Sequence, residues 1–141
     1  GAVLVALAVV VAACWGGGDS DPATNGSVGL AWESSYQAAL DRATALNRPV
    51  MIDFYTDWCG WCRRLDATTL ADSRVQRALE AFVLVKLNAE QEGSQAAARF
   101  GVSAYPTLLF LNASGREVGR IPGYVGAEDF LHELQGILGQ V

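Results

Sequence analysis

The chain has 141 residues, 51% of them hydrophobic and 18% charged, with a net charge of −5. That balance describes one folded domain with a short extension and excludes a disordered chain. No basic stripe is present, which excludes nucleic acid as a partner, and three cysteines are too few for a disulfide-built scaffold.

Residues 1–14 read as an address. Every residue from Ala2 to Ala13 is apolar; the run is too short to span a bilayer but suits the core of a signal peptide. It ends in Val11-Ala12-Ala13-Cys14, which resembles a bacterial lipobox. That resemblance implies a lipidated Cys14 and a place in the bacterial periplasm or on the outer face of the envelope; an ordinary signal peptide or membrane anchor and a buried strand are the other readings of the run. The chain opens at Gly1 with no basic segment before the apolar run, so it is read as truncated at its start. Residues 15–31 hold Gly16-Gly17-Gly18, Asp19, Ser20, Asp21 and Pro22 and read as a flexible linker. Asn25-Gly26-Ser27 and Asn112-Ala113-Ser114 match the glycosylation pattern, which a bacterial signal makes irrelevant.

Residues 32–141 read as the folded domain. Ser34 or Ser35 can cap a helix that carries Tyr36, Ala39, Leu40, Ala43 and Leu46 at helical spacing. Asn47 and Pro49 end it. The apolar run over 50–56 predicts a strand covered on both faces, interrupted by Asp53. A helix is expected over 59–70, and Asp72 or Ser73 can cap a further turn or two reaching Leu79. A second buried strand is expected over 82–87 and a short helix over 94–100, ended by Gly101. Strands over 107–111 and 117–121 are joined by Asn112-Ala113-Ser114-Gly115, a hairpin signal. After Gly126 a last helix carries Phe130, Leu131, Leu134, Ile137 and Leu138 on one stripe. The order α-β-α-β-α-β-β-α predicts an α/β fold with a central mixed sheet and helices on both faces. Trp32 is expected in the core, and His132, off the stripe of the last helix, at the surface.

The chemistry concentrates in Trp58-Cys59-Gly60-Trp61-Cys62, set between a strand and a helix. A helix N-terminus offers unpaired N–H groups and the positive end of the macrodipole, so it favours a thiolate at Cys59, and the thiolate is the nucleophile. Cys62 lies one turn on, close enough to close a disulfide. A zinc site wants about four ligands, and the chain offers only His132 beside this pair; a shared cluster across a dimer and an inert structural pair are the other readings. No metal and no cofactor is expected. Asp53 is a carboxylate inside an apolar strand, costly unless paired or functional, and burial raises its pKa. Asp66 follows Cys62 by four residues and so shares its helix face.

Residues 50 to 138 resemble the thioredoxin superfamily, above all the C-terminal periplasmic domain of DsbD-type thiol:disulfide interchange proteins and stand-alone thioredoxin-like proteins of the bacterial envelope. The carriers are Asp53-Phe54-Tyr55-Thr56-Asp57-Trp58-Cys59-Gly60-Trp61-Cys62, Lys86-Leu87-Asn88, Gly101-Val102-Ser103-Ala104-Tyr105-Pro106-Thr107 and Gly123. The resemblance implies the thioredoxin fold and a protein-disulfide reductase or carrier working through Cys59 and Cys62. It implies that Pro106 is cis and faces the pair, so that Tyr105 presents backbone to an extended substrate. It also implies that Asp53 exchanges a proton with Cys62, that Lys86, the chain's single Lys, neighbours Asp53, and that Asp66 matches an acid of the DsbD domain. Trp61 departs from the usual Pro and, with Trp58 and Tyr105, is read as docking surface. Protein disulfides are the expected partners, with a membrane electron donor of DsbD type, a membrane tether through Cys14 and a monomeric state. A disulfide oxidase or isomerase, a non-catalytic lipoprotein adaptor and a metal-carrying module are the competing functions.

Overall fold

A computed structural model describes residues 29–141, so Cys14, the lipobox and nearly all of the linker lie outside the described residues. The first helix is α1 (Tyr36–Leu46), with Ser35 as N-cap accepting from the Ala38 N–H. It ends at Asn47, whose φ of 50° is the left-handed geometry that Asn tolerates. The run after Pro49 is strand β2 (Val50–Tyr55). A short strand β1 (Trp32–Glu33) precedes α1. It is an addition to the order expected from sequence, because two residues are too few to show a period.

Past β2 come α2 (Gly60–Ala67), α3 (Ser73–Leu79) and β3 (Val83–Asn88). Asp72 caps α3 by accepting from the Arg74 and Val75 N–H groups, so the further capped turns expected after the cysteine helix form a helix of their own. The chain continues through α4 (Ser94–Arg99), β4 (Thr107–Leu111), β5 (Glu117–Pro122) and α5 (Ala127–Leu138). The β4–β5 turn is held by the Asn112 side-chain oxygen, which accepts from the Ser114 N–H, the Ser114 hydroxyl and the Arg116 N–H.

The five strands form one mixed sheet in the order β1-β3-β2-β4-β5. β1 and β2 each run parallel to β3, whereas β4 is antiparallel to both β2 and β5. Alternate residues of β2 face opposite sides. Ile52 and Phe54 join Ala39, Ala43, Val85 and Leu109 on one face; Met51 joins Leu65, Phe110, Phe130 and Leu134 on the other. Two apolar layers thus cover the central strand, and Asp53 sits in its middle with 1% of its surface exposed. Trp32 is half-buried against the second layer and not inside it. His132 is exposed.

Candidate active site

The carboxyl end of β2 leads into the cysteine loop. Cys59 is the N-cap of α2, and its Sγ accepts a hydrogen bond of 3.1 Å from the Cys62 N–H. The sulfur therefore sits where the helix leaves its first amide hydrogens unpaired. Cys59 and Cys62 are joined in a disulfide, with their Cα atoms 5.3 Å apart and each residue 4% exposed. The loop is braced from outside. Asn88, buried at the end of β3, donates to Asp57 Oδ1 at 3.0 Å, and Gln91 donates to Asp57 Oδ2 at 3.2 Å. Arg63 donates to the Asp57 carbonyl.

Antiparallel pairing brings a second loop to the same place. Phe54, near the end of β2, stands opposite Thr107, the first residue of β4. The segment before Thr107 therefore lies at the edge from which the cysteine loop emerges. It contains Tyr105 and the buried Pro106, joined by a cis peptide. Tyr105 meets Trp58 edge to face, with ring centroids 6.3 Å apart. The Pro106 carbonyl accepts from the Gly123 N–H at 2.6 Å, which draws the segment before α5 to the same edge.

The carboxylates sit beneath the pair. Asp53 and Lys86 face one another across the β2–β3 register, but the Lys86 Nζ lies 3.9 Å from Asp53 Oδ2 and only 2.5 Å from Asp66 Oδ2. The expected Asp53–Lys86 pair is thus a three-member array in which the half-exposed Asp66 is the nearer partner. Geometry explains it: Asp66 projects from the face of α2 that also carries Cys62, and Lys86 reaches up to meet it. The ammonium also lies over Tyr55 and Trp32, 5.3 Å and 5.8 Å from their ring centroids. Asp53 Oδ1 and Thr56 Oγ1 are buried with no hydrogen-bond partner among the described residues. Burial pushes the Asp53 carboxyl up to about 7; Lys86 opposes the rise and Asp66 adds to it. A carboxyl in that range can take or release a proton near neutral pH.

Two exposed tryptophans frame the disulfide, Trp58 at 65% and Trp61 at 57%. The Trp58 indole N–H donates to Glu90 at 2.9 Å. Trp61 lies 5.3 Å from the ring of Tyr124, and the Arg64 guanidinium sits 5.7 Å from each of those two ring centroids. Gly60 is open: a Cβ there would meet only Arg63, at 3.8 Å. Glu90, Arg64 and Tyr124 escaped sequence reasoning. Glu90 and Tyr124 reach the site from distant segments, and Arg64 reads as an ordinary helix cation. Asn88 stood inside a matched motif, but only its contact with Asp57 shows its task.

A disulfide at the start of a helix, a buried acid beneath it and a proline loop at the same sheet edge define a thiol–disulfide oxidoreductase of thioredoxin fold. Residues 36–137 match the Thioredoxin-like domain family, and the chain belongs to it. Over 110 residues it is 37% identical to the thiol:disulfide interchange protein DsbD of Ralstonia nicotianae, covering 75% of this chain and 18% of that protein. The corresponding protein of Salmonella typhimurium is 39% identical over 101 residues, covering 66% of this chain and 18% of its own length. The chain thus spans about a fifth of the length of these curated relatives. Among solved structures, a thioredoxin from Thermus thermophilus is 36% identical with a TM-score of 0.71, covering 78% of this chain and 88% of that one. The oxidised C-terminal domain of DsbD from Neisseria meningitidis is 28% identical with a TM-score of 0.60, covering 71% and 90%.

Proposed function

We propose that this domain delivers electrons to disulfides of proteins in the bacterial envelope, with Cys59 as nucleophile and Cys62 as resolving thiol. The Cys59 thiolate attacks a partner disulfide, releasing one partner sulfur as a thiolate that takes up a proton and leaving a mixed disulfide. Cys62 gives its proton to Asp53 and attacks the Cys59 sulfur. The second partner sulfur leaves as a thiolate and takes up the proton held by Asp53, and the domain is left oxidised as Cys59–Cys62. Two electrons pass to the partner, and no cofactor takes part. Pro106 and Tyr105 are assigned to substrate docking and Lys86 to holding the proton balance of Asp53.

One observation carries the direction. No cation lies between the cysteines, where only Gly60 and Trp61 stand, while two carboxylates, Asp53 and Asp66, share a single ammonium below them. Negative charge beside the pair disfavours the thiolate and hence the reduced form, which makes the domain a donor. Recharging then requires a further dithiol, and a membrane electron donor of the kind present in the longer DsbD relatives fits that need. Residues 1–14 as signal and lipobox, with Cys14 lipidated, and residues 15–31 as linker would hold a monomeric domain, residues 32–141, at the envelope surface.

The reduction potential, measured against glutathione, tests the direction. A value near that of thioredoxin, about −270 mV, is expected; one near about −120 mV, as in the strongest oxidants of this fold, contradicts it. Cys62→Ser in a bacterial host should accumulate partners held on Cys59, and a Cys59→Ser chain that keeps its biological role would favour the adaptor reading.

A further inference from the structure

We propose that Arg64, held beside Trp61 and Tyr124, selects protein partners that carry a carboxylate near the reacting cysteine. The inference rests on the exchange function proposed above and names the chemistry of its substrate. Its basis is a difference between the two walls of the disulfide. On the Trp58 side the exposed charges are mixed: Glu90 holds the indole N–H, Asp57 stands in the same loop, and Arg63 is turned onto the Asp57 carbonyl. On the Trp61 side the charge is the Arg64 guanidinium.

Arg64 is placed beside the disulfide without a carboxylate of its own, unlike the arginines already held in ion pairs. Arg42, Arg74 and Arg120 each meet a carboxylate at 3.1 Å or less. Arg64 meets none among the described residues; it lies against two aromatic rings. A guanidinium held beside aromatic rings keeps N–H groups that can donate to an incoming carboxylate. The platform beneath it is fixed. Tyr124 OH lies 3.0 Å from the Thr68 hydroxyl, the Thr69 hydroxyl donates to the Val125 carbonyl, and Gly123 donates to Pro106. The wall bearing Arg64 is therefore tied to the proline loop, on which a substrate strand would lie. Its occupant combines apolar side chains, for Trp61 and Tyr124, with a negative charge for Arg64.

The test uses the reduced protein and symmetric disulfides of three short peptides with the core X-Leu-Cys-Leu-X, where X is Asp, Asn or Lys. Each turnover converts one peptide disulfide to two peptide thiols while Cys59 and Cys62 become joined. The initial rate is followed by the free peptide thiol. Because the whole chain is acidic, the informative quantity is the Asp-to-Asn rate ratio compared between variants. An exposed charge pair is worth a factor of about three in this ratio at low salt. The ratio should fall about threefold in Arg64→Gln, fall again in Arg64→Glu, and flatten as salt is raised, with the Asn peptide losing less rate than the Asp peptide. An equal ratio in all three proteins, or an equal loss on all three peptides, overturns the assignment. Failure of the wild-type protein to reduce any of the peptides would instead sink the exchange function itself.

Discussion

Burial deprives Asp53 of water around its carboxylate, and the partial help of Lys86 does not make up the loss. Its carboxyl moves from an ordinary 3.8 to about 7, so the folded chain holds a proton that the unfolded chain releases. The contribution of Asp53 to stability is therefore fully present below pH 4 and is lost as pH rises through 7, by about 4 kcal/mol in all. Asp53→Asn cannot lose that proton and should flatten the fall: its urea midpoint should exceed that of the parent at pH 8.5 and match it near pH 4. A parallel decline in both proteins would show that Asp53 is not the group responsible. The neighbours should move the titration in opposite directions. Lys86→Gln removes the opposing cation and raises the Asp53 pKa; Asp66→Asn removes a carboxylate and frees Lys86 for Asp53, which lowers it. The carboxyl carbon signal of Asp53 followed by NMR across pH 4–9 reads both shifts. Asp53 was legible in sequence because a charge within an apolar strand is conspicuous. The preference of Lys86 for Asp66 was not, since it depends on how α2 is rotated above β3.

Where elements meet, small residues set the limits. Gly93, just before α4, donates its N–H to the Asn88 carbonyl at the end of β3. A Cβ on Gly93 would fall 2.7 Å from Leu87 Cβ and 2.8 Å from that carbonyl oxygen, both fixed within the sheet. Gly93→Ala should therefore cost about 1–3 kcal/mol, and because Asn88 braces Asp57 it should also disturb the cysteine loop. Gly60→Ala is the contrasting case. It adds a methyl in open space at the start of α2 and should leave stability unchanged or raise it by about 0.5 kcal/mol. Paired urea denaturation curves check both, and similar costs for the two changes would contradict the packing argument. Elements with their own periodicity or caps were legible in sequence: α1 from Ser35 to Asn47, β4 from its apolar run, α5 from its stripe. So was the start of α3, from the Asp72 cap, whereas the two-residue β1 was not. That strand exists only through pairing with β3.

At the scale of the whole molecule, the reduction potential and the folding stability are one quantity seen twice. The unfolded chain has its own preference for an open or closed Cys59–Cys62 pair. The folded chain departs from that preference only by as much as the fold is more stable in one redox state than in the other. A donor must therefore be more stable oxidised. The structure supplies a reason: the reduced protein places a thiolate at Cys59 over a site already holding Asp53 and Asp66 with one ammonium between them, whereas the disulfide carries no charge to be repelled. The amide hydrogen bond from Cys62 to the Cys59 sulfur works against this, and Lys86 offsets part of it. Reduction should thus lower the thermal midpoint, each 30 mV of potential below that of the unfolded pair corresponding to about 1.4 kcal/mol, or about 6 °C for a domain of this size. Asp66→Asn, with one carboxylate fewer, should narrow the gap between the oxidised and reduced melting curves. Scanning calorimetry of both redox forms at pH 8 decides the point: a reduced protein that melts higher than the oxidised one would make the domain an acceptor of electrons.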